Sequence, residues 1–441
     1  MSKRNPIDSL STIQRLQFTD REKAERLLQR WFARHMHLST ESVTLTPRAV
    51  SLNSFNGFYR SDGEEYFFKT HVEEQGVLEE YYHAELLYQA GYNVVKPLRT
   101  LHEEGRQMVI YPVVRWPVMF DLVRALETDN EGEDAINHTI SSAHLPQYRP
   151  LETDNEGEDA INRVPTWAEA LAFAEREECK RLLDIYQATL ARSTAEEHAH
   201  AAVHQLFWHR LAGERFKSFY TGKHVPFPGE HRADIPFNEL LAYRWVINGA
   251  EQQYTLGELV ERAKVVLHPA RTAMTIIGHG DAHFGNVFLE KQRSYLYFDP
   301  AFAGRHTPLL DVIKPLFHNI FATWMYFPHD IARNLHIAIS VHETSIILEH
   351  NYTLTPIRQA ILQAKIQYLL VPLIEKLRSQ NALDAGWSDW IEIMRLALMC
   401  CPLLTINLLD SARIPAAISW LGLSQAVQLG NTGVHSWRAD L

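Results

Sequence analysis

Asp62-Gly63 separates two short runs rich in aromatic residues, GFYRS (57–61) and EYFFKTH (65–71). A two-residue Asp-Gly link between such runs is the strongest local signal for a tight antiparallel hairpin, because the turn that matches strand twist needs positive φ at both positions. RAVSLNS (48–54) reads as a strand before it, with SFNG as the tight loop between them. A helix is expected from about Val77 to Gln89, ended by Gly91, and VVKPL and QMVIYPVV (107–114) are further strand candidates. An amphipathic helix around residues 20–36 precedes the set.

At 441 residues the chain is long for a single core, so more than one domain or subdomain is expected. Beyond residue 165 the pattern is mainly helical, broken by apolar and polar pieces around 275–300. The fold class read from this order is α+β. It has an N-terminal helical extension (1–44), a small sheet-rich lobe with one helix (45–118), and a larger, mainly helical lobe (119–441). Cys179, Cys400 and Cys401 offer neither a disulfide framework nor a paired metal spacing, which fits a reducing cytosol. The first residues lack the apolar core of a signal peptide. The apolar run at 396–409 contains Pro402, is too short to span a bilayer, and reads as buried helix. A cytoplasmic protein with no membrane partner is expected.

The net charge of −10 has a local source. LETDNEGEDAIN occurs twice, at 126–137 and 151–162, and each copy carries five acids and no base. Without them 43 acidic residues face 43 basic ones, so the global field gives no reason to expect a cationic substrate. A basic footprint for nucleic acid is missing as well. The composition of the duplicated segment, at about 126–162, reads as a solvated acidic insertion. It lacks the ligand order of a Ca²⁺-binding EF-hand loop.

The chemistry-bearing stretch is IIGHGDAHFGNVFL (276–289). On an extended strand His279, Asp281 and His283 would face one side, and their ligand types suit Zn²⁺ or a dimetal hydrolase. Gly280 and Gly285 interrupt such a strand, and no remote ligand set completes the site. The alternative is H-x-D-x-x-x-x-N, with His279, Asp281 and Asn286 in register. Phosphoryl transfer needs a carboxylate to accept a hydroxyl proton, and an amide oxygen five residues on to reach Mg²⁺ held by nucleotide phosphates. A second carboxylate must complete the metal site. NVFLEKQRSYLYFD supplies it as a strand, a polar turn at Lys291–Ser294, a returning strand, and Asp299 at its end.

HGDAHFGN followed by FDPAFAG resembles the aminoglycoside phosphotransferase and choline kinase group, the small-molecule branch of the protein-kinase-like fold. The resemblance covers about 45–120 and 270–320. It implies a bilobal fold, with an antiparallel-sheet lobe and a helical catalytic lobe, and a kinase that uses ATP and Mg²⁺ on a small-molecule hydroxyl. It implies that Asp281 is the catalytic base and that Asn286 and Asp299 are the Mg²⁺ ligands. His279 would brace the loop backbone, and His283 stands where the family often has His. Asp311, in TPLLDVIK, matches a downstream Asp that holds the catalytic loop in place; an acid near a helix N-terminus is an equal reading.

The family also has a nucleotide lobe, with a Lys on the third strand and an acidic partner on the next helix. Lys69 in EYFFKTH has that place, with Glu85 chosen as its partner and Glu79 and Glu80 as rivals. The phosphate-covering loop would be NSFNG (53–57), where Ser54, Asn56 and Gly57 stand and a single glycine replaces three. YPVV would be the hinge, with the backbone of Tyr111 and Val113 near the adenine; Tyr111 also reads as core. The histidines at 198, 200, 204 and 209 do not align on one helical face, so core or surface positions are expected of them rather than a metal site. Structural ion pairs are expected of Arg210 and Arg215, and LFHNIFATWMYF (316–327) reads as buried helix.

Overall fold

The computed structural model describes residues 10–46, 55–70, 76–101, 107–128, 166–229, 234–383 and 389–432, with the side chains of the third helix from residue 82 onward. These fall into two compact units: one within Met1–Trp116 plus Leu296–Ala301, the other within Pro117–Tyr295 plus Phe302–Leu441. The α+β class expected from the sequence is what the structure has.

The first unit holds helices α1 (Leu10–Leu16), α2 (Arg21–His35) and α3 (Gly76–Ala90). Its strands are β1 (Ser42–Leu45), β2 (Asn56–Ser61), β3 (Glu64–Thr70), β4 (Arg99–Leu101) and β5 (Met108–Pro112), in the antiparallel order β1-β2-β3-β5-β4. Asp62 and Gly63 have φ of 53° and 77°, as the expected turn requires, and Ser61 pairs with Glu64 across it. The strand expected at 48–54 lies outside the described residues; β1 is the strand that pairs with the outer edge of β2. VVKPL contributes only a bridge, Val94 to Tyr297. Gly57 stands inside β2 rather than in a loop. A Cβ there would lie 2.2 Å from the Thr44 carbonyl oxygen, so only glycine lets the strands approach.

Asp20 caps α2 by accepting from the Lys23 amide. The apolar stripe Leu27, Leu28, Trp31 and Phe32 then packs on the sheet with Tyr59 and Phe68, so α1 and α2 share the core of the sheet. Phe32 meets Phe68 edge to face at 5.4 Å. Strand alternation decides the rest. Phe68 and Thr70 bury on the helix side, while Phe67 and Lys69 turn to the opposite face. There Val95, Val109 and Tyr111 pack with Leu296 and Phe298.

The second unit is mainly helical, beginning with α4 (Met119–Thr128) and α5 (Trp167–Thr189), the latter opened by a Thr166/Glu169 capping box. The strand Ala273–Gly278 pairs with Ala191–Ser193 and Gly304–His306. Pro308–Leu316 is a helix that runs into a π-helical turn, Phe317–Phe321. The expected buried apolar helix is Trp390–Thr405, packed beside Ala416–Asn431. Arg244–Ile247 runs parallel to Ser345–His350 inside a four-stranded sheet that the local pattern does not announce. Cys179, Cys400 and Cys401 are buried thiols. No helix among the described residues is long and apolar enough to cross a membrane.

One acid of the duplicated segment is not solvated. Glu127 ends α4 with its carboxylate 1% exposed, gripped on both oxygens by the Arg358 guanidinium. Arg358 also donates to the Asn319 carbonyl at 2.7 Å. The composition of the segment averages over this residue, and a buried acid is tolerated because its charge is paired.

Candidate active site

In the first unit the Lys69 ammonium forms an ion pair with Asp299. Both follow from neighbours in the packing: Lys69 is two residues past Phe67 on one strand face, and Asp299 follows Phe298, which packs edge to face on that ring at 6.4 Å. Asp299 has φ 58°, a left-handed conformation uncommon outside glycine, immediately before Pro300. The Pro300 carbonyl is bonded by His83 of α3 at 3.1 Å.

The partner expected for Lys69 is corrected. Glu85 pairs with Lys96 at 2.9 Å and accepts from Gln89 at 3.1 Å, with its side chain 43% exposed. Helix phase is the reason: two residues turn the helix by about 200°, so with His83 toward the Asp299 segment, Glu85 points away. The side chains of Glu79 and Glu80, and all of Ser54, lie outside the described residues. Asn56 accepts at Oδ1 from the Thr46 hydroxyl at 2.7 Å. Tyr111 is a core residue, 2% exposed, and Val113 follows the end of β5, half-buried.

In the second unit His279 is fully buried, and the loop that follows is clamped from several sides. The Gly280 amide donates to Asp311 Oδ1 at 2.6 Å and the Phe284 amide to Asn319 Oδ1 at 2.7 Å. The Gly285 amide donates to His283 Nδ1 at 3.0 Å, so His283 shapes the turn. Asn286 Nδ2 donates to the Asp281 carbonyl at 3.0 Å, which directs the amide oxygen away from that bond. Glycine is required at 278, where a Cβ would come within 2.6 Å of Asp311 Cγ and His306 Nε2. It is required again at Gly280 (φ 78°), where a Cβ would lie 2.3 Å from the Phe302 carbonyl oxygen.

Two buried carboxylates face this loop in different ways. Asp311 accepts from the Gly280 amide, from His306 Nε2 at 2.9 Å and from the Tyr186 hydroxyl. Burial pushes its carboxyl up, but those partners hold it below the ordinary carboxylate range. The Asp281 side chain instead has charges near it: Lys314 Nζ at 3.6 Å from Oδ1 and His283 Nε2 at 4.0 Å from Oδ2. Burial pushes the Asp281 carboxyl up too; Lys314, His283, Arg210 and His279 outweigh that and hold it below the ordinary range. It is an anion at neutral pH.

Lys314, His318, Asn319, His306 and Tyr186 went unseen in the sequence. Lys314 is buried and bonds His318 Nε2 at 2.9 Å, and His318 Nδ1 meets the Tyr326 hydroxyl at 2.8 Å. Burial, then the charges of Lys314, His283 and Arg210, hold the His318 imidazole well below its ordinary value, so it is neutral. A signal was present: Asp311, Lys314, His318 and Asn319 follow i, i+3, i+7, i+8, one face of an otherwise apolar segment. Elsewhere His198 and His204 are buried side by side, ring centroids 4.5 Å apart, and Arg215 bonds the Leu404 carbonyl at 3.2 Å.

No group of three His, Cys, Asp or Glu side chains among the described residues is arranged to hold a metal. The amide oxygen of Asn286 and the carboxylate of Asp299 are hard oxygen donors of the kind Mg²⁺ takes together with substrate phosphates and water.

The structure is similar to solved small-molecule phosphotransferases. A spectinomycin phosphotransferase in complex with ADP and spectinomycin aligns with 92% of this chain and 97% of its own, at 12% identity and a TM-score of 0.39. For a macrolide 2'-phosphotransferase from Brachybacterium faecium the shares are 91% and 97%, at 14% identity and a TM-score of 0.36. For an ethanolamine kinase from Plasmodium vivax they are 97% and 95%, at 10% identity and a TM-score of 0.38. No protein-family model and no curated protein matches the chain.

Proposed function

We propose that the chain is a phosphotransferase that moves the γ-phosphoryl group of ATP, with Mg²⁺, to a hydroxyl of a small molecule. The observation that carries this reading is the loop 279–286. It holds the buried, ionised Asp281 carboxylate, whose Oδ1 takes no hydrogen bond from the described residues and is faced by Lys314, five residues before Asn286, whose amide donates to the Asp281 carbonyl.

In this reading Asp281 accepts the hydrogen bond of the acceptor hydroxyl, orients its oxygen for attack and takes its proton as the bond to phosphorus forms. Lys69 is the cation for the nucleotide phosphates. Asn286 and Asp299 are the oxygen ligands for Mg²⁺, which when bound neutralises phosphate charge. Asp311 and Asn319 hold the loop rigid, and rigidity matters because most of the rate in such reactions comes from placement.

The test is ADP release with Mg·ATP and a panel of sugars, aminoglycosides, amino alcohols and nucleosides, run with wild type and Asp281→Asn. One acceptor class should stimulate ADP release at least tenfold in wild type and leave Asp281→Asn inert. Wild-type turnover by that variant would sink the assignment of Asp281.

A further inference from the structure

A lysine buried in the apolar helix Pro308–Leu316 needs a reason. Lys314 is 4% exposed, and desolvating an ammonium is unfavourable where leucine or methionine would pack without that cost. Its neighbours show what the charge is for. An ammonium only donates, so the 2.9 Å contact makes His318 Nε2 an acceptor and places the imidazole proton on Nδ1, which donates to Tyr326 at 2.8 Å. Lys314 is thus pinned from behind by a neutral His–Tyr pair. In front, Asp281 Oδ1 is 3.6 Å away, beyond hydrogen-bond distance and inside strong Coulomb range.

The contrast with Asp311 sharpens this. Its carboxylate is saturated by an amide, an imidazole and a phenol, as a structural acid should be. Asp281 Oδ1 accepts no hydrogen bond from the described residues and is held by charge. Oδ2 lies on the His283 side, 4.0 Å from its Nε2. Charge without a shared proton orients the carboxylate and keeps its lone pairs available.

We propose that Lys314, anchored through His318 and Tyr326, is a positioning residue for phosphoryl transfer: it holds Asp281 at Oδ1 by charge and leaves Oδ2 to meet the acceptor hydroxyl. The proposal rests on the phosphotransferase reading and adds a residue outside the loop motif to it.

The experiment uses the full chain and Mg·ATP, with water as acceptor, followed as ADP release. Melting curves and calorimetric Mg·ATP binding are recorded for each variant. Lys314→Met should lower kcat at least a hundredfold and leave the KM and Kd for Mg·ATP within twofold. Lys314→Arg, which keeps the charge, should recover at least tenfold of that loss. Adding Lys314→Met to Asp281→Asn should cost no further rate, and the double variant should melt above Lys314→Met alone, because no buried acid is then left without its cation. That melting comparison needs no turnover, so it decides the pairing even where Lys314→Met is too unstable to assay. The proposal is overturned if Lys314→Met turns over like wild type, if Lys314→Arg is no better than Lys314→Met, or if the two substitutions add independently in rate or melting temperature. Wild-type hydrolysis by Asp281→Asn would instead bring down the phosphotransferase reading.

Discussion

Gly280→Ala separates two consequences of a backbone that a side chain cannot enter. Gly280 has φ 78°, a region that costs an L-residue about 1–2 kcal/mol. Its added Cβ would also stand 2.3 Å from the Phe302 carbonyl oxygen, about 1 Å inside an ordinary contact. Relief of that clash must displace the loop, and the 2.6 Å bond from the Gly280 amide to buried Asp311 is the first casualty. Losing it leaves a buried carboxylate short of a donor, a penalty of about 1–3 kcal/mol. The sum is about 2–5 kcal/mol, a large share of the stability of an ordinary domain. Gly249 provides the matched control: its φ is also 78°, and nothing lies within 4 Å of its Cβ position. Gly249→Ala should therefore lose only the conformational part. In urea titrations and thermal melts the two variants should differ by about 1–3 kcal/mol, or roughly 2–12 °C at about 2–4 °C per kcal/mol. Equal destabilisation of the two would refute the close approach to Phe302 and the part assigned to Asp311.

Three further outcomes are expected. His204 is held at about 2, first by burial and then by the charges of His198, His306 and His209. The unfolded chain therefore takes up that proton as pH falls below about 6.5 while the folded chain does not. Stability is lost on acidification, by about 2 kcal/mol between pH 7 and pH 5 from this residue, and urea titrations of His204→Phe should lack that part of the slope. Glu127→Gln should destabilise the chain by about 3–5 kcal/mol because it strands a buried guanidinium, and Glu127→Leu combined with Arg358→Met should regain most of it in the same titration. In calorimetry Lys69→Met should weaken Mg·ATP binding at least tenfold, whereas Glu85→Gln, which touches an exposed pair with Lys96 and a bond from Gln89, should stay within twofold. Equal losses would restore Glu85 to the site.

What could be read before folding was local. The Asp62-Gly63 turn, the strand that carries Lys69 and the punctuated loop at 279–286 each depend on a few adjacent residues, and adjacent residues are what a sequence displays. The errors share a different cause. Glu85 and His83 differ by a rotation about the axis of α3, and that rotation is set by which side chains the rest of the unit buries. Lys314, His318 and Asn319 share one face of an otherwise apolar segment, but that this face meets the loop at 279–286 is set by packing between distant stretches of chain. The parallel pairing of Arg244–Ile247 with Ser345–His350 joins segments about a hundred residues apart and leaves no trace in either. Glu127 was averaged into its acidic surroundings, though a single arginine decides its environment.

The place of that glutamate has a consequence for the history of the chain. The two LETDNEGEDAIN copies begin 25 residues apart, so excising 25 residues from any starting point between 126 and 138 leaves one and the same sequence. In every case the chain still reads Leu-Glu-Thr after Ala125, with a glutamate in the last turn of α4 at the position Arg358 requires. A slippage event at this site is silent to the buried ion pair, whichever copy is gained or lost. The duplication could enter the gene, and can leave it, without passing through a protein in which Arg358 stands uncompensated.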